Sequence, residues 1–345
     1  MDLSSFIVQE DTNIVDAAAQ ISRNGRQIVF VCDGLKLLAA LSDGDLRRYI
    51  VKGGDLSKTV RDLANYEPHS IAANELEFVP SRYIKAMPVL NEEGEITSIR
   101  FDDNTAVHKT AKLDVPVVIM AGGKGTRLAP YTNVLPKPLI PVGDKTIAEQ
   151  IINKFEGFGC KTFYLILNYK RELVKAYFKE AQQKAFIHFI DEVEYQGTGG
   201  GLKLLEDSIT STFFMTNCDI IVDTDYEDIL SFHKKEGYEI TLVCAMKKLV
   251  VPYGTVELSE DGMPKRLIEK PEYPLLTNTG LYVIEPTFLQ YIETGTFTHI
   301  TDLIQACINM GGRVGVYPVS EACWMDMGQF NELHKMHAIL ERNLM

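Results

Sequence analysis

Short apolar runs alternate with amphipathic stretches along the chain after residue 114. The runs VVIM, TFYLIL, AFIHFI, FFMTN and ITLVCAM predict strands, and TIAEQIINKFEGFG, RELVKAYFKEAQQ, GLKLLEDSI and YEDILSFHKKEG predict helices between them. This alternation is typical of an α/β domain with a mostly parallel sheet, because parallel strands need a long crossover connection. Ligands of such domains bind at the carboxyl ends of the strands.

The first hundred residues show a shorter pattern that occurs twice. DTNIVDAAAQISRNG predicts a helix that ends at Gly25, and QIVFVCDGLKLLAALSDGDLRRYI predicts a strand, a turn at Asp33-Gly34, a strand and a helix. A weaker copy follows in TVRDLANYEPHS and KAMPVLNEEGEITSIRF, with its turn at Glu93-Gly94. The two copies indicate an internal repeat.

The polar, aperiodic stretch DDNTAVHKTAKLD separates these two patterns. We therefore predict a smaller N-terminal α+β domain over residues 1–106, a linker over 107–114 and an α/β domain over 115–345. A length of 345 residues, with 46% hydrophobic and 24% charged residues, fits two globular domains.

The net charge and the cysteine pattern restrict the binding partners and the cellular compartment that we expect. The net charge is −12, and an acidic surface repels nucleic acid and anionic membranes, so we expect neither as a partner. The six cysteines form no C-x-x-C pair and several lie in apolar runs, which indicates buried thiols in a reducing compartment. We expect a cytoplasmic protein, since the N-terminal sequence shows no signal-peptide pattern.

The run AGGKGTRLAPYTNVLPKPLIPVG carries the first candidate chemistry. Its glycines let the backbone turn tightly after the strand, so that successive N–H groups can cradle phosphate oxygens. Arg127 adds positive charge, and Lys137 stands between two prolines that stiffen its backbone. A lone G-G-x-G would be an ordinary turn, and neither a P-loop nor a G-x-G-x-x-G loop is present.

Together, A-G-G-x-G-T-R-L and K-P-L-x-P-V-G resemble the signature of nucleoside-diphosphate-sugar pyrophosphorylases, the sugar-1-phosphate nucleotidyltransferases. The resemblance covers about residues 116–345 and implies a Rossmann-like, mostly parallel mixed sheet flanked by helices, of the GT-A-like kind. It implies that Arg127 and Lys137 are catalytic and bind the nucleotide phosphates. The loop residues that it implies for nucleotide binding are Ala121, Gly122, Gly123, Gly125 and Thr126.

Two aspartates are candidates for a metal site. Asp219 follows the strand FFMTNC and Asp326 lies in CWMDMG. An isolated aspartate usually caps a helix or turns a loop. The pair resembles the metal-binding aspartates of the family, so the resemblance implies that Asp219 and Asp326 hold Mg²⁺, which favours one or two carboxylates with phosphate oxygens. It also makes Asp219 a catalytic residue.

The second glycine loop, DEVEYQGTGGGLKLL, resembles the family's base-binding motif E-x-E-P-L-G-T-x-G. The resemblance implies nucleotide binding by Glu192, Gly197 and Thr198. A carboxylate only accepts hydrogen bonds, so it pairs with the adjacent N–H donors of guanine better than with the mixed edge of uracil or thymine. Glu192 therefore predicts GTP, the alternative being a solvated acidic residue before a loop.

The N-terminal repeat resembles a tandem CBS pair, or Bateman module, whose second copy is degenerate. Ser42 and Asp45 in LSDGDLRRYI fit the ligand motif S/T-x-x-D, which implies a site for an adenine nucleotide. Such modules pair into dimers, so the resemblance also implies a homo-oligomer. Ser-x-x-Asp is equally the pattern of a helix capping box, which is the structural alternative to a ligand site.

The segments YGTVEL, IEKPEYP and TNTGLYVI resemble the family's sugar-binding segments. The resemblance implies sugar-phosphate binding by Gly254, Glu269, Lys270, Asn278 and Gly280. A CBS pair with a guanylyl-type transferase resembles the glucosamine-1-phosphate guanylyltransferases of bacterial legionaminic acid synthesis. The alternatives are a heptose- or mannose-1-phosphate guanylyltransferase, a uridylyl- or thymidylyltransferase and, outside enzymes, a catalytically inactive nucleotide sensor.

Overall fold

A computed structural model describes residues 3–72, 86–101, 113–181 and 185–327. The chain divides into two compact units. One contains Met1–Val107, Cys244–Thr277 and Pro318–Cys323, and the other contains His108–Val243, Asn278–Tyr317 and Trp324–Met345. The hydrophobic pattern does not separate the two later segments of the first unit from the α/β domain. The predicted linker lies mostly outside the described residues, and the predicted domain limits stay predictions.

The first hundred residues form two small sheets with the same strand pairing. Their elements are β1 (Ile7–Gln9), α1 (Ile14–Asn24), β2 (Ile28–Asp33), β3 (Lys36–Ser42), α2 (Asp43–Val51), β4 (Ile71–Ala72), β5 (Ala86–Leu90) and β6 (Ile96–Phe101). β2 pairs in parallel with β1 and antiparallel with β3, and β5 pairs in the same way with β4 and β6. The repeated pairing supports the predicted internal repeat, while its assignment to the CBS family remains a prediction.

Both helices and both turns predicted in this region are present. Helix α1 ends before Gly25 and buries one apolar face against β2, including Ile14 and Ile21. The two hairpins meet at their turns, where the Leu37 N–H donates to the Gly94 carbonyl at 3.1 Å. The hairpins of the two copies therefore contact each other directly.

A mixed seven-stranded sheet is the largest in the described part of the chain. The elements after residue 113 are β7 (Val117–Met120), α3 (Tyr131–Val134), β8 (Pro141–Val142), β9 (Lys145–Thr146), α4 (Ile147–Gly157), β10 (Thr162–Leu167), α5 (Arg171–Glu180), β11 (Phe186–Asp191), α6 (Gly197–Gly200), β12 (Phe213–Asn217), β13 (Ile220–Val222), α7 (Tyr226–Glu236), β14 (Ile240–Val250), β15 (Thr255–Leu258), β16 (Pro264–Ile268), β17 (Glu272–Ile284), α8 (Ile300–Asn309), β18 (Val314–Ser320) and β19 (Trp324–Asp326). The strand order of the sheet is β11-β10-β7-β12-β17-β14-β18.

The four strands at one end of this order are parallel to one another, and β17 pairs antiparallel with β12. The predicted mixed α/β architecture with a parallel-rich sheet is therefore confirmed. Parallel pairing brings the carboxyl ends of β11, β10, β7 and β12 to one edge, where the candidate loops begin. Across the described residues, the structure contains no helix that is both long and apolar enough to cross a membrane.

Capping residues explain where helices begin, and glycine explains one helix that was predicted but does not form. Helix α4 begins after Thr146, whose hydroxyl accepts from the Glu149 N–H in a capping box. The run GLKLLEDSI was predicted as a helix, but only a 3-10 turn over Gly201–Leu205 forms. The turn directly follows α6, which contains three glycines, and glycine lowers helix stability because it loses the most backbone freedom on folding. A regular α-helix therefore does not continue through this run.

Candidate active site

The first glycine loop leaves the carboxyl end of β7 and borders two adjoining cavities of about 430 and 200 Å³. The Ala121 N–H donates to the Ile166 carbonyl at 2.9 Å, which fixes the start of the loop to the sheet. Gly125 has a φ of 66°, and a Cβ there would lie 2.9 Å from Thr132 Cγ2. Only glycine fits this position without strain.

The loop residues predicted to bind nucleotide divide into two groups. Gly122, Gly123, Gly125 and Thr126 line the larger cavity. Ala121 is buried within the sheet edge. Ala121 therefore holds the loop in place through its backbone, while the four later residues face the space that a ligand would fill.

Two cations from different parts of the chain converge on one carboxylate. The Lys137 ammonium contacts Asp219 Oδ2, and the Arg127 guanidinium lies 3.9 Å from the same oxygen. The Lys137 side chain is 11% exposed, whereas that of Arg127 is 64% exposed. Lys137 is thus held in place, and Arg127 extends into solvent at the mouth of the cavity.

The two predicted metal-binding aspartates lie on neighbouring backbone segments. Ile220, next to Asp219, pairs with Asp326 in the antiparallel ladder between β13 and β19. The Met327 N–H donates to the Asp219 carbonyl at 2.7 Å. Residues far apart in sequence are therefore joined at the same edge of the sheet.

Mg²⁺ fits the chemistry of this pair. It binds through one or two carboxylates and completes its shell with water and phosphate oxygens. The described residues contain no group of three or more His, Cys, Asp or Glu side chains that could hold a metal by themselves. Asp219 already pairs with the Lys137 ammonium, so a metal held by this carboxylate would also need the negative charge of a phosphate ligand.

Glu192 is a buried carboxylate between the two glycine loops. Its Oε1 accepts from the Gln196 N–H at 2.8 Å, and a Cβ on Gly122 would lie 2.9 Å from its Oε2. The residue is 1% exposed, so the interpretation as a solvated surface glutamate is wrong. Burial raises the pKa of Glu192, against the smaller opposing effect of the Gln196 hydrogen bond.

The second glycine loop is fixed by a segment about a hundred residues later. The Gly200 N–H donates to the Thr298 carbonyl at 3.1 Å, and Thr198 Oγ1 accepts from the Ile300 N–H at 3.2 Å. Thr198 and Gly197 line the smaller cavity. The Thr198 hydroxyl therefore has a structural partner in addition to its predicted contact with a nucleotide.

Three of the five residues predicted to bind the sugar phosphate belong to the unit that contains residues 244–277. Gly254 and Glu269 approach each other beside the β15–β16 hairpin, because a Cβ on Gly254 would lie 3.0 Å from Glu269 Oε2. Lys270 follows with a φ of 46°. Their binding of a sugar phosphate remains a prediction.

The other two, Asn278 and Gly280, lie in β17 within the second unit. Asn278 Oδ1 accepts from the Gly280 N–H at 3.1 Å, and its Nδ2 donates to the Tyr282 hydroxyl at 2.6 Å. The Asn278 amide is therefore engaged inside its own strand. Their assignment to the sugar pocket also stays a prediction.

Sequence reasoning missed three polar residues that line these cavities. They are Asn168 after β10, Tyr195 in the second loop and Asn217 at the end of β12. Asn168 Nδ2 donates to the Glu192 carbonyl at 2.8 Å. A signal was present for both asparagines, since each ends an apolar strand of a parallel sheet, where ligands bind.

Cys218 also lines the smaller cavity. Burial raises the pKa of its thiol to about 12. The thiol is therefore protonated at neutral pH, and covalent catalysis by this cysteine is disfavoured. The chemistry of the site rests on its cations and carboxylates.

Comparison with known proteins places this arrangement in a family. Residues 116–343 match the family described as Nucleotidyl transferase. The match covers more than half of the chain, and the chain belongs to this family. The prediction from the two sequence motifs is thereby confirmed at the level of the family.

The matching curated relatives include guanylyltransferases. Mannose-1-phosphate guanyltransferase of Aspergillus fumigatus is 33% identical over 222 residues, which cover 61% of this chain and 60% of the relative. The mannose-1-phosphate guanylyltransferase catalytic subunit beta of Drosophila pseudoobscura pseudoobscura is 31% identical over 220 residues, which cover 61% of this chain and 58% of the relative. The chain thus spans about three fifths of the length of these relatives.

Solved structures show the same fold. HddC from Yersinia pseudotuberculosis has a TM-score of 0.53 at 23% identity, and the match covers 66% of this chain and 99% of that one. The apo form of a UDP-glucose pyrophosphorylase has a TM-score of 0.52 at 16% identity, with 68% of this chain and 100% of that one covered. These similarities establish the mixed α/β nucleotidyltransferase fold.

Proposed function

We propose that this chain transfers a nucleotidyl group from a nucleoside triphosphate to a sugar 1-phosphate and releases pyrophosphate. The convergence of Lys137 and Arg127 on Asp219, at the mouth of the glycine-loop cavity, carries this proposal. Two cations and a carboxylate thereby lie beside a loop whose N–H groups suit phosphate oxygens, and this supports the proposal. Membership of the nucleotidyl transferase family supports the same reaction class.

In the proposed reaction, a phosphate oxygen of the sugar 1-phosphate attacks the α-phosphorus of the triphosphate. A new P–O bond forms as the bond from the α-phosphorus to its bridging oxygen breaks, and the electron pair leaves with pyrophosphate. The nucleophile is already an anion, so no side chain has to remove a proton. Catalysis then depends on positioning and on neutralising negative charge, which Lys137 and Arg127 supply.

Asp219 and Asp326 are the residues that would hold Mg²⁺. When bound, the ion would screen the phosphate charges and stabilise the charge that develops on the leaving group. The antiparallel pairing of β13 with β19 supports this role, because it holds the two backbone segments that carry these aspartates side by side. Lys137 and Arg127 would complete the neutralisation from the side of the glycine loop.

Glu192 supports GTP as the donor. Its buried carboxylate has one oxygen engaged by the Gln196 N–H, and the other lies against Gly122 at the cavity wall. An acceptor in this position can pair with the N1–H and N2–H₂ donors of guanine. The names of the curated relatives, which are guanylyltransferases, agree with this choice.

Two sugar 1-phosphates are each supported as the acceptor substrate by a different observation. The combination of a CBS-like repeat with a guanylyl-type site favours glucosamine 1-phosphate, as in the enzymes of legionaminic acid synthesis. The curated relatives are named for mannose 1-phosphate. Heptose 1-phosphate is the third acceptor to compare, and the product in each case is a nucleotide sugar for glycan or nonulosonate synthesis.

A matrix of four nucleoside triphosphates against these three sugar 1-phosphates, with and without Mg²⁺, tests the proposal. We expect release of pyrophosphate that requires Mg²⁺ and is fastest with GTP. A faster reaction with UTP or dTTP would contradict the role of Glu192. Nucleotide binding without pyrophosphate release from any pair would instead support the alternative of a nucleotide sensor.

A second binding function is proposed for the N-terminal repeat. Ser42 and Asp45 form a capping box, in which the Ser42 and Asp45 side chains each accept from the other residue's N–H, at 3.2 and 3.0 Å. They also line a cavity of about 230 Å³ together with Phe30, Arg48 and His69. The capping role and the ligand role are therefore compatible. Aromatic and cationic side chains in one cavity support the proposed adenine nucleotide.

Binding at this cavity can be separated from binding at the active site by a pair of arginine variants. Arg48 lines the cavity and pairs with Asp45, whereas the neighbouring Arg47 pairs with Asp43 and is not part of the cavity lining. We expect Arg48→Gln to weaken the increase in melting temperature caused by ATP, ADP or AMP, and Arg47→Gln to leave it unchanged. An equal increase in melting temperature in both variants would reject a nucleotide site in this cavity. The proposed dimer would be rejected by a monomeric mass in solution.

A further inference from the structure

A tyrosine and a lysine in the loop after β10 contact the backbone around the first glycine loop. Tyr169 and Lys170 stand between β10 and α5, and both are partly buried. Neither is among the residues that line the two cavities of the candidate active site. The proposed reaction therefore gives them no contact with a substrate, and their hydrogen bonds to the surrounding chain indicate what they do.

Tyr169 is joined to the first glycine loop on both sides. Its N–H donates to the Gly122 carbonyl at 3.3 Å, and its hydroxyl donates to the Thr132 carbonyl at 3.3 Å. The Thr132 hydroxyl donates in turn to the Gly125 carbonyl at 3.0 Å. Tyr169 thus connects the start of the loop to helix α3, which follows the loop, and α3 is itself bonded back to the loop.

Lys170 holds the same helix at its carboxyl end. Its ammonium donates to the Asn133 carbonyl at 2.5 Å and to the Val134 carbonyl at 2.8 Å. The last carbonyls of a helix have no partner within the helix, and a lysine side chain can supply the missing donors. Lys170 therefore stabilises α3, a helix of only four residues, from outside.

Lys170 itself has an unusual backbone conformation. Its φ of 50° and ψ of 34° are left-handed, a conformation that residues other than glycine seldom adopt. It also stands at the N-cap of α5, where a side chain that accepts hydrogen bonds is usual, and a lysine has no acceptor. Strained positions of this kind persist where surrounding contacts maintain them, and they are common at functional sites. The Lys170 side chain thus caps α3 instead of its own helix.

The position of α3 affects two groups that are predicted to bind phosphate. A Cβ on Gly125 would lie 2.9 Å from Thr132 Cγ2 and 3.2 Å from Lys137 Cβ, so the loop, the helix and this lysine are closely packed. Lys137 also follows soon after the end of α3 in the sequence. A shift of α3 would therefore move the loop N–H groups and Lys137 together. Groups that act by positioning and charge lose their effect when they are displaced.

We propose that Tyr169 and Lys170 are positioning residues, which clamp α3 and so keep the first glycine loop in the shape that receives the phosphates of the nucleotide. This inference rests on the proposed function. Both residues act through α3 rather than through contact with a substrate. Their loss should weaken the binding of phosphate groups and leave recognition of the base unchanged.

The Kd values of GTP and guanosine, measured by calorimetry, test this role without turnover. Lys170→Met removes the ammonium and keeps a long side chain. We expect it to raise the Kd of GTP about 5- to 10-fold, as for the loss of one hydrogen bond. The Kd of guanosine should stay unchanged, because guanosine has no phosphate and its base is assigned to Glu192, which the second glycine loop holds.

Two further variants separate positioning from general loss of structure. Lys170→Arg keeps a cation that can reach α3, so it should restore the native Kd of GTP. Lys179→Met, on an exposed residue at the other end of α5, is the matched control and should preserve both Kd values. An unchanged Kd of GTP in Lys170→Met would overturn the proposal, and so would an equal rise of both Kd values, which is the result of a purely structural role.

Hydrogen exchange of the free protein measures the clamp without any ligand. We expect Lys170→Met to speed exchange in residues 125–139 and to leave exchange in α7 unchanged. Tyr169→Phe removes only the hydroxyl bond to Thr132, so it should cause a smaller change of the same kind, and it serves as the test if Lys170→Met does not fold. Native exchange rates for residues 125–139 in both variants would contradict the clamp.

The two measurements also distinguish the clamp from the proposed function. If no pair of substrates releases pyrophosphate, the proposed function fails, whereas faster exchange of residues 125–139 in Lys170→Met would still support the clamp. If the native protein is active and Lys170→Met retains the native Kd of GTP and native exchange, the proposed function stands and the clamp is wrong.

Discussion

Replacing Lys137 by alanine is expected to lower the rate of pyrophosphate release by about 10²- to 10³-fold, the usual cost of losing one preorganised electrostatic donor. Lys137 is the buried cation of the site, and its ammonium contacts Asp219. The fold should persist, because Asp219 still faces the cavity and Arg127 remains 3.9 Å away. Steady-state kinetics and a melting curve check both parts of this expectation.

Lys154→Ala is the matched control for this loss. Lys154 also pairs with an aspartate, Asp223, but this pair lies outside the cavities described above. An exposed pair contributes little to stability, so we expect near-native activity and melting temperature. Near-native turnover of Lys137→Ala would contradict the assignment of this lysine to catalysis.

Glu192→Gln is expected to lower kcat/KM for GTP by about 10- to 100-fold, in line with hydrogen bonds to a charged group. The glutamine keeps an oxygen for the Gln196 N–H, so the second loop should hold its shape. It replaces the other oxygen by an NH₂ group. The side chain then has a donor beside an acceptor, as the mixed edge of uracil or thymine requires. Competition between GTP and UTP in one reaction measures the change, and an unaltered preference would contradict base recognition by Glu192.

The same substitution should change how stability depends on pH. Burial raises the pKa of Glu192 above its ordinary value of 4.5, so the folded protein binds this proton more tightly than the unfolded chain. The native protein therefore loses stability as pH rises from about 4.5 through the raised pKa. Glutamine carries no charge at any pH. The melting temperature of Glu192→Gln should match that of the native protein at low pH and exceed it at neutral pH.

The parallel strands and the first cavity could be predicted from the sequence because their signals are local. β7, β10 and β12 are apolar runs, and their limits agree with the predicted runs. The glycines, Arg127 and Lys137 lie within one short stretch. Their order along the chain was therefore enough to predict a phosphate site at the end of β7.

The remaining features depend on contacts between distant segments. The β15–β16 hairpin was missed because its strands are short and their residues are largely exposed, so that no buried apolar run marks them. The burial of Glu192 comes from packing between two loops, which its neighbours in sequence do not reveal. Asn168 was missed because its contact with the Glu192 carbonyl joins the ends of two strands, which no local sequence pattern shows.

The short pairing of β13 with β19 also constrains the order of folding. It joins Asp219 to Asp326 across a stretch that includes α7, the long strands β14 and β17, and α8. Closing so large a loop around two three-residue strands costs entropy that these few hydrogen bonds cannot offset alone. The intervening chain has to fold first. We therefore expect the edge proposed to bind Mg²⁺ to form late in folding, so that an incompletely folded chain would contain the first glycine loop without the second carboxylate beside it.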